Sequence, residues 1–368
     1  MTRFFWLAIA FIVFSACNSP KGSTGEDSKK PEVRNIIFLI GDGMGITQIS
    51  AGMYSNGNRL SLEAFPVIGL HKSYSASNLI TDSAAGATAF ASGVKTYNGA
   101  IGVNPDTLPV RTILEELEGE GYCTGLIATS TIVHATPAAF IAHEKERHMY
   151  DEIATWFLKT DIDLFVGGGM RFFEDRPDGR NLAEELRAKG YVLSDSAEMK
   201  LQDLPWRKAD KLGYLTSYED PARYSQGRDY LVPATKEGIQ FLARCAKKKK
   251  GFFLMVEGSQ IDWGGHANES DYIISEMLEF NKAVATALAF AKKDKHTLVV
   301  VTADHETGGY AILPGSSMGD IKGGFSTDYH TADLIPVFAY GPGSNLFSGI
   351  YENTEIYYKM HRALLGEF

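Results

Sequence analysis

Cysteine is scarce in this sequence, with 3 residues in a chain of 368. Such a low count excludes a small disulfide-stapled scaffold, which needs several cysteine pairs. Positive charge is also in the minority, because 36 Lys and Arg residues face 45 Asp and Glu, for a formal net charge of -9. This acidic balance argues against nucleic acid as the main partner, since phosphate backbones attract basic surfaces. With 44% hydrophobic residues, a mainly disordered chain is excluded as well.

The N-terminus has the pattern of a secretory targeting segment. One positive charge and a short apolar run precede Ser15, Ala16 and Cys17, an order that predicts a signal peptide over 1–16 and lipidation of Cys17. The alternative is an ordinary signal peptide with an incidental cysteine. Residues 17–32 are rich in Ser, Gly, Lys and Pro, which indicates a flexible tether. We therefore expect an exported lipoprotein, periplasmic or on the cell surface, that meets the membrane only through the lipid on Cys17.

The rest of the chain, 33–368, has the alternating pattern of a single α/β domain. Near-continuous apolar runs predict strands that are covered on both faces, at 35–40, 125–128, 164–166, 252–256, 297–301 and 336–339. Apolar residues at three- and four-residue spacing predict helices, most clearly at 271–293 and also at 111–120 and 182–189. Together they predict a mostly parallel sheet covered by helices. The polar stretch at about 194–232 is interpreted as an insertion, and the sequence leaves open whether Cys123 and Cys245 pair.

Residues of the types that bind metals cluster around the ends of these predicted strands. They are Asp42, Glu257, Asp262, His266, the run Asp304-His305-Glu306, and His330. The carboxyl ends of parallel strands meet at one edge of a sheet, where ligands bind, and buried carboxylates need a cation to stay ionised. Mixed imidazole and carboxylate ligands suit Zn²⁺, whereas all-oxygen sets suit Mg²⁺. The glycines between Asp262 and His266 favour a loop or a first helical turn over a regular helix there.

Two further stretches have the pattern of a phosphate site. Ser83 precedes an Ala-rich run, so it is either an ordinary N-cap or a nucleophile at a helix N-terminus, where free N–H groups stabilise anions. No G-x-S-x-G motif surrounds it, which weighs against the usual serine hydrolase mechanism, and a metal would activate the hydroxyl directly. Thr136 and Pro137 predict a helix start with Thr136 as its cap. Arg147, four residues after His143 on one predicted helical face, is either a phosphate clamp or a surface charge.

Taken together, these stretches resemble the alkaline phosphatase family. The motifs occur in family order from about residue 33 to 365: LIGDGMG at 39–45, TDSAAGATA at 81–89, GVKTYNG at 93–99, ATPAA at 135–139, VEGSQID at 256–262, VTADH at 301–305 and HT at 330–331. The resemblance implies a three-layer α/β/α sandwich and hydrolysis of phosphate monoesters through a phosphoserine. It also implies a homodimer, because family members are commonly dimers.

The resemblance further implies a role for each matched residue. Ser83 would be the nucleophile, and Arg147 would hold the phosphate. Two Zn²⁺ and one Mg²⁺ would bind per subunit: the first zinc at Asp262, His266 and His330, the second at Asp42, Asp304 and His305, and the magnesium at Asp42, Thr136 and Glu257. Two such zinc ions would flank an in-line displacement of the phosphoryl group.

Two positions depart from the pattern of the best-known enterobacterial members. His134 stands where they carry aspartate, and Trp263 where they carry lysine. His134 is assigned to substrate binding, through a contact with a magnesium-bound water or indirectly with the phosphate; the alternative is a partly exposed turn histidine. Cobalt or a third zinc is an alternative third metal. Competing functions are a phosphodiesterase of the same superfamily, which would lack the magnesium ligands and Arg147, and a non-catalytic phosphate- or metal-binding lipoprotein.

Overall fold

Within residues 32–366, ten strands form one central sheet. They are β1 (Asn35–Gly41), β2 (Val67–Lys72), β3 (Cys123–Thr131), β4 (Leu164–Gly168), β5 (Tyr191–Asp195), β6 (Lys211–Leu215), β7 (Phe252–Gly258), β8 (Thr297–Thr302), β13 (Leu334–Tyr340) and β14 (Gly349–Glu352). Two small antiparallel pairs lie outside it, β9 (Glu306–Thr307) with β12 (His330–Thr331), and β10 (Ala311–Ile312) with β11 (Gly323–Gly324). All six strands predicted from apolar runs are present, with somewhat longer bounds.

The strand order in the sheet is β14-β2-β13-β8-β1-β7-β3-β4-β6-β5. Every neighbouring pair is parallel except those of β13, which runs antiparallel to β2 and to β8. The prediction of a mostly parallel sheet is therefore confirmed. Four adjacent parallel strands at its centre, β8, β1, β7 and β3, end at the same edge, which is where ligands bind in such sheets.

Helices cover both faces of the sheet. They are α1 (Ile46–Ser55), α2 (Ser83–Ser92), α3 (Ile113–Gly119), α4 (Ala135–Ala138), α5 (Tyr150–Lys159), α6 (Arg171–Glu174), α7 (Leu182–Ala188), α8 (Leu231–Cys245), α9 (Gln260–His266), α10 (Ser270–Asp294) and α11 (Glu355–Leu365). The three predicted helices correspond to α3, α7 and α10. Short 3₁₀ turns are found at Ser61–Ala64, Leu201–Asp203, Tyr224–Gln226 and Ser344–Phe347.

Two hydrophobic cores lie on opposite faces of the sheet. In β1, Phe38 belongs to the core that includes residues of α2, α3, α5 and α7, whereas Ile37 and Leu39 belong to the core that includes residues of α1, α8 and α10. Every residue of β1 is buried because both faces of the strand are covered. The α/β class and the three-layer arrangement are therefore as predicted.

The polar stretch at 194–232, interpreted from the sequence as an insertion, contains β6. This strand pairs in parallel with both β4 and β5 near one end of the sheet. The strand is short, and Gly213 in its middle gives no apolar signal. A Cβ at Gly213 would lie 2.3 Å from the Phe165 ring, so the glycine is what lets that ring pack across β6.

A disulfide joins Cys123, the first residue of β3, to Cys245, the last residue of α8, with Cα atoms 6.2 Å apart. The sequence had left this pairing open. The structure is a computed structural model that describes residues 1–2 and 32–366, so Cys17 and nearly all of the expected signal peptide and tether lie outside the described residues. Within the described part, no helix has both the length and the apolar character needed to cross a bilayer.

Candidate active site

The chain places its metal-type ligands at one edge of the sheet. Asp42 follows β1 directly, Glu257 lies near the end of β7, and Asp304 and His305 follow β8. The registers of the three strands are aligned, because Ile40 of β1 pairs with Glu257 on one side and with Thr302 on the other. Parallel pairing therefore brings together side chains that are more than 200 residues apart.

Asp42, Asp304 and His305 form the first cluster, at the ends of β1 and β8. All three side chains are fully buried. His305 Nε2 lies 3.6 Å from Asp42 Oδ1 and 3.3 Å from Asp304 Oδ2. Ser83 Oγ lies 3.3 Å from the same His305 nitrogen. The predicted second-zinc ligands and the predicted nucleophile are thus adjacent.

Asp262, His266 and His330 form the second cluster. His266 Nε2 lies 3.4 Å from Asp262 Oδ2 and 3.2 Å from His330 Nε2, and His330 Nε2 lies 3.5 Å from Asp262 Oδ1. Asp262 and His266 both lie in α9, so the expectation of a loop or single turn was wrong. Gly264 and Gly265 occur in this helix because the neighbouring chain leaves no room for a side chain there. A Cβ on Gly264 would lie 2.8 Å from the Ile273 nitrogen.

Asp42, Glu257 and Thr136 meet at the third cluster, which His134 also joins. Both carboxylate oxygens of Asp42, Oε1 of Glu257 and Oγ1 of Thr136 are buried, and none of them has a partner at hydrogen-bonding distance and geometry. Unsatisfied buried carboxylate oxygens are costly unless a cation lies between them. These oxygens are hard donors of the kind that Mg²⁺ prefers, so the residues fit a bound divalent ion.

The electrostatics of the three clusters point to bound cations. Burial, and then repulsion by Asp304, raises the pKa of Asp42 well above its usual range. Burial raises the pKa of Glu257 to about 8. Burial also lowers the pKa of His305 well below its usual value, and burial together with Arg147 lowers that of His134 to about 3. Neutral imidazoles beside carboxyls that ionise only with a compensating charge are typical of a metal centre.

Ser83 is the first residue of α2, and the helix is capped by Asp82. Asp82 Oδ1 accepts a hydrogen bond from the Ala85 N–H at 3.0 Å, so the cap is Asp82 and the alternative of Ser83 as N-cap was wrong. Asp82 Oδ2 accepts from Arg147 Nη1 at 2.9 Å. Burial alone would lower the pKa of Arg147, but the pairing with Asp82 outweighs it and the pKa is raised. The guanidinium is therefore permanently charged in the cleft that Ser83 also lines.

The local structure around Thr136 and Arg147 differs from the prediction. α4 begins after His134, without a side-chain cap, so Thr136 lies inside the helix and does not cap it. Arg147 lies in the loop between α4 and α5 instead of on a helical face with His143. His143 is held elsewhere, because its Nε2 lies 2.9 Å from Glu115 Oε1. His134 Nε2 lies 3.5 Å from Arg147 Nη2, so His134 contacts both Arg147 and the third cluster.

Glu306, which the sequence grouped with the metal-type ligands, faces away from the three clusters. Its Oε1 accepts from Gln48 Nε2 at 2.7 Å and from the Tyr310 N–H at 3.0 Å, while Oε2 accepts from Thr331 Oγ1 at 2.6 Å and from the Gly309 N–H at 3.1 Å. It thereby fixes the β9–β12 pair, which includes His330 and directly follows His305. The sequence reasoning missed this role because it depends on contacts between distant segments.

Thr307 is a second residue that the sequence reasoning missed. Its hydroxyl donates to Asp262 Oδ1 and lies 3.2 Å from His305 Nδ1. It therefore orients one ligand from each of the first two clusters, a role that outer-shell groups commonly have in metal sites.

Comparison with known proteins identifies what these clusters belong to. The family model for alkaline phosphatase matches residues 33–322. The chain belongs to the alkaline phosphatase family. It is 34% identical to alkaline phosphatase 3 of Bacillus subtilis, over 97% of this chain and 95% of that protein. It is a metal-dependent hydrolase of phosphate monoesters, as the sequence predicted.

Solved structures of this family have the same fold. The alkaline phosphatase of the Antarctic bacterium TAB5 is 43% identical and superposes with a TM-score of 0.86, covering 91% of this chain and 99% of that one. A histidine-to-aspartate mutant of that enzyme, similar at a TM-score of 0.85 over the same shares of the two chains, has Mg bound in its M3 site. The fold prediction is thereby confirmed.

Proposed function

We propose that this phosphatase acts through Ser83 as its nucleophile. The observation that carries the proposal is the position of Ser83 Oγ, at the N-terminus of α2 between the Arg147–Asp82 pair and the His305 cluster. Ser83 Oγ would attack phosphorus as the bond to the leaving alcohol breaks, which gives a phosphoserine. Water would then cleave the Oγ–P bond, release inorganic phosphate and regenerate Ser83.

Arg147 would bind the non-bridging phosphate oxygens through the nitrogens that Asp82 leaves free. The ion pair with Asp82 fixes one edge of the guanidinium, so the side chain is oriented before substrate arrives. The N–H groups at the start of α2 add positive potential on the same side. These groups stabilise charge that is present in the substrate and redistributed in the transition state.

For the metals, we propose two Zn²⁺ and one Mg²⁺ per subunit. Zinc would be held by the first two clusters, which mix imidazole and carboxylate, and magnesium by the third. When bound, the ions would lower the pKa of hydroxyl groups and neutralise the phosphate. His134 joins the third cluster here, and Mg is bound at M3 in a relative whose histidine was replaced by aspartate. We therefore propose that His134 weakens Mg²⁺ binding at this cluster, and that His134→Asp raises the magnesium content measured after dialysis.

We propose further that the protein is exported, anchored through a lipid on Cys17, and homodimeric. The support is the order of charge, apolar run and small residues before Cys17, and the common dimeric state of the family. Cys17→Ala is expected to move the protein from the membrane fraction to the soluble exported fraction. Sedimentation velocity of the protein without its first 16 residues tests the dimer.

Ser83→Ala tests the nucleophile directly. We expect hydrolysis of p-nitrophenyl phosphate to fall by a factor of about 10³ or more, while inorganic phosphate still binds. Acid quenching of the wild type during turnover, followed by peptide mass spectrometry, is expected to find phosphate on Ser83. Wild-type turnover in Ser83→Ala, or phosphate found on a different residue, would contradict the assignment.

A further inference from the structure

The Tyr329 ring extends a stack of two histidine rings, His305 and His330, towards the mouth of the cleft. The rings of His305 and His330 stack with centroids 3.5 Å apart, and Tyr329 stacks on His330 at 4.4 Å with an interplanar angle of 10°. Tyr329 is 46% exposed, whereas His305 and His330 are buried. His330 covers one face of the tyrosine ring, and the exposed part of the ring lines the cleft that Ser83 and Arg147 also line.

The backbone holds this ring in place. The Tyr329 N–H donates to Thr327 Oγ1 at 3.1 Å, and its carbonyl accepts from the Gly308 N–H at 2.9 Å. The next residue, His330, pairs with Thr307 in the β9–β12 ladder. Tyr329 is therefore a rigid wall, and a flat ligand pays little ordering entropy on the protein side when it stacks there.

The direction of the reaction points the leaving group towards this wall. Ser83 lies at the inner end of the cleft beside buried His305, and an in-line displacement puts the leaving oxygen on the far side of phosphorus. We place that side towards the second cluster, because His266 and the Tyr329 ring that stacks on His330 line the same cleft as Ser83. The cleft lining also includes the polar residues Asn98, Glu146 and His148.

We propose that the exposed ring of Tyr329 is a subsite for a planar aromatic leaving group, so that the enzyme favours aryl and heteroaromatic phosphate monoesters over saturated ones. The proposal rests on the assignment of Ser83 as nucleophile, which sets the direction of the leaving group. Offset stacking of two aromatic rings favours an aromatic over a saturated group of equal size by about 2- to 10-fold in affinity.

Phenylphosphonate and cyclohexylphosphonate separate stacking from leaving-group chemistry. Both place a six-membered ring where the leaving group would be, and neither has a P–O bond to a leaving alcohol that could be cleaved. Their inhibition constants are measured on the metal-saturated enzyme, with inorganic phosphate as a probe of the phosphate site alone. We expect the wild type to bind the phenyl compound about 2- to 10-fold more tightly.

The variants test whether Tyr329 causes that preference. Tyr329→Phe keeps the ring and is expected to keep the ratio of inhibition constants, whereas Tyr329→Leu is expected to bring it close to 1. Tyr218→Leu is the matched control, because Tyr218 is 48% exposed and does not line the cleft. Equal affinity of the two phosphonates in the wild type, or an unchanged ratio in Tyr329→Leu, would overturn the proposal.

Failure of the nucleophile assignment gives a different result. If Ser83→Ala hydrolyses substrate at the wild-type rate, the assumed direction of the leaving group is wrong, and the proposal for Tyr329 loses its basis. If Ser83→Ala is inactive and the phosphonate ratio does not depend on Tyr329, only the aromatic subsite is refuted.

Discussion

Removing the metals is expected to destabilise the protein more at alkaline than at acidic pH. Without metal, the pKa of Glu257 is raised from 4.5 to about 8, first by burial and then by repulsion from carboxylates such as Asp304. A carboxyl whose pKa is raised by folding contributes its stability below the unfolded pKa and loses it as the pH rises through the folded pKa. The metal-free protein therefore loses stability between about pH 4.5 and pH 8.

The size of this effect follows from the pKa difference of Glu257. A gap from 4.5 to about 8 corresponds to about 5 kcal/mol at full ionisation. When a metal ion is bound, Glu257 is ionised and compensated throughout this range, so the loaded protein avoids the loss. Asp42 and Asp304 change in the same direction, because their pKa values are also raised by burial. The difference in Tm between loaded and stripped protein should widen by on the order of 10 °C from pH 5 to pH 8.

Calorimetry of stripped and metal-saturated protein at a series of pH values measures this gap. Glu257→Gln cannot ionise and is expected to flatten the dependence. Glu118→Gln is the matched control, because burial raises the pKa of Glu118 to about 7 as well. The Glu118 carboxylate accepts hydrogen bonds from Thr124 and Asp161 at the opposite edge of the sheet, far from the metal clusters. Its titration therefore affects the stripped and the metal-loaded protein equally and cancels in the Tm difference. A gap of constant size across the pH range, or the same slope in Glu257→Gln, would refute the reasoning.

Three further outcomes are expected. Glu306→Gln turns an amide N–H₂ towards groups that now donate to the carboxylate, so the proposed zinc should dissociate more readily and kcat should fall. Zinc content after dialysis measures the first effect, and activity at saturating zinc measures the second. Gly86→Ala adds a Cβ 3.0 Å from the Cβ of Asp304, so we expect kcat to fall severalfold with the Tm nearly unchanged; full activity would contradict this. Arg228→Met leaves two buried glutamates, Glu276 and Glu279, without their partner and should cost about 3–5 kcal/mol in denaturant unfolding, whereas equal stability would show that the glutamates are protonated in the native protein.

The sequence identified site residues wherever a metal-type side chain lies at the end of an apolar run that forms a strand. Asp42 and Glu257 were recognisable because each lies at the end of an apolar run, and parallel pairing then brings such residues together. Arg147 was ambiguous because nothing local distinguishes a clamp in a loop from a surface charge; its partner Asp82 is 65 residues away. Tyr329 gave no signal at all, since its position on the His330 ring depends on the pairing of two-residue strands.

At the edge of the sheet opposite the metal-type ligands, a disulfide links two elements covalently. The disulfide between Cys123 and Cys245 spans 122 positions, and the loop it closes contains β3 to β6 together with α8. Closing a loop of that length removes about 5 kcal/mol of chain entropy from the unfolded state in the polymer description. The metal clusters instead draw mainly on β1, β7 and β8. The disulfide and the proposed metals thus hold largely different strands of the sheet, so that a reductant and a chelator should each loosen a different part of the fold.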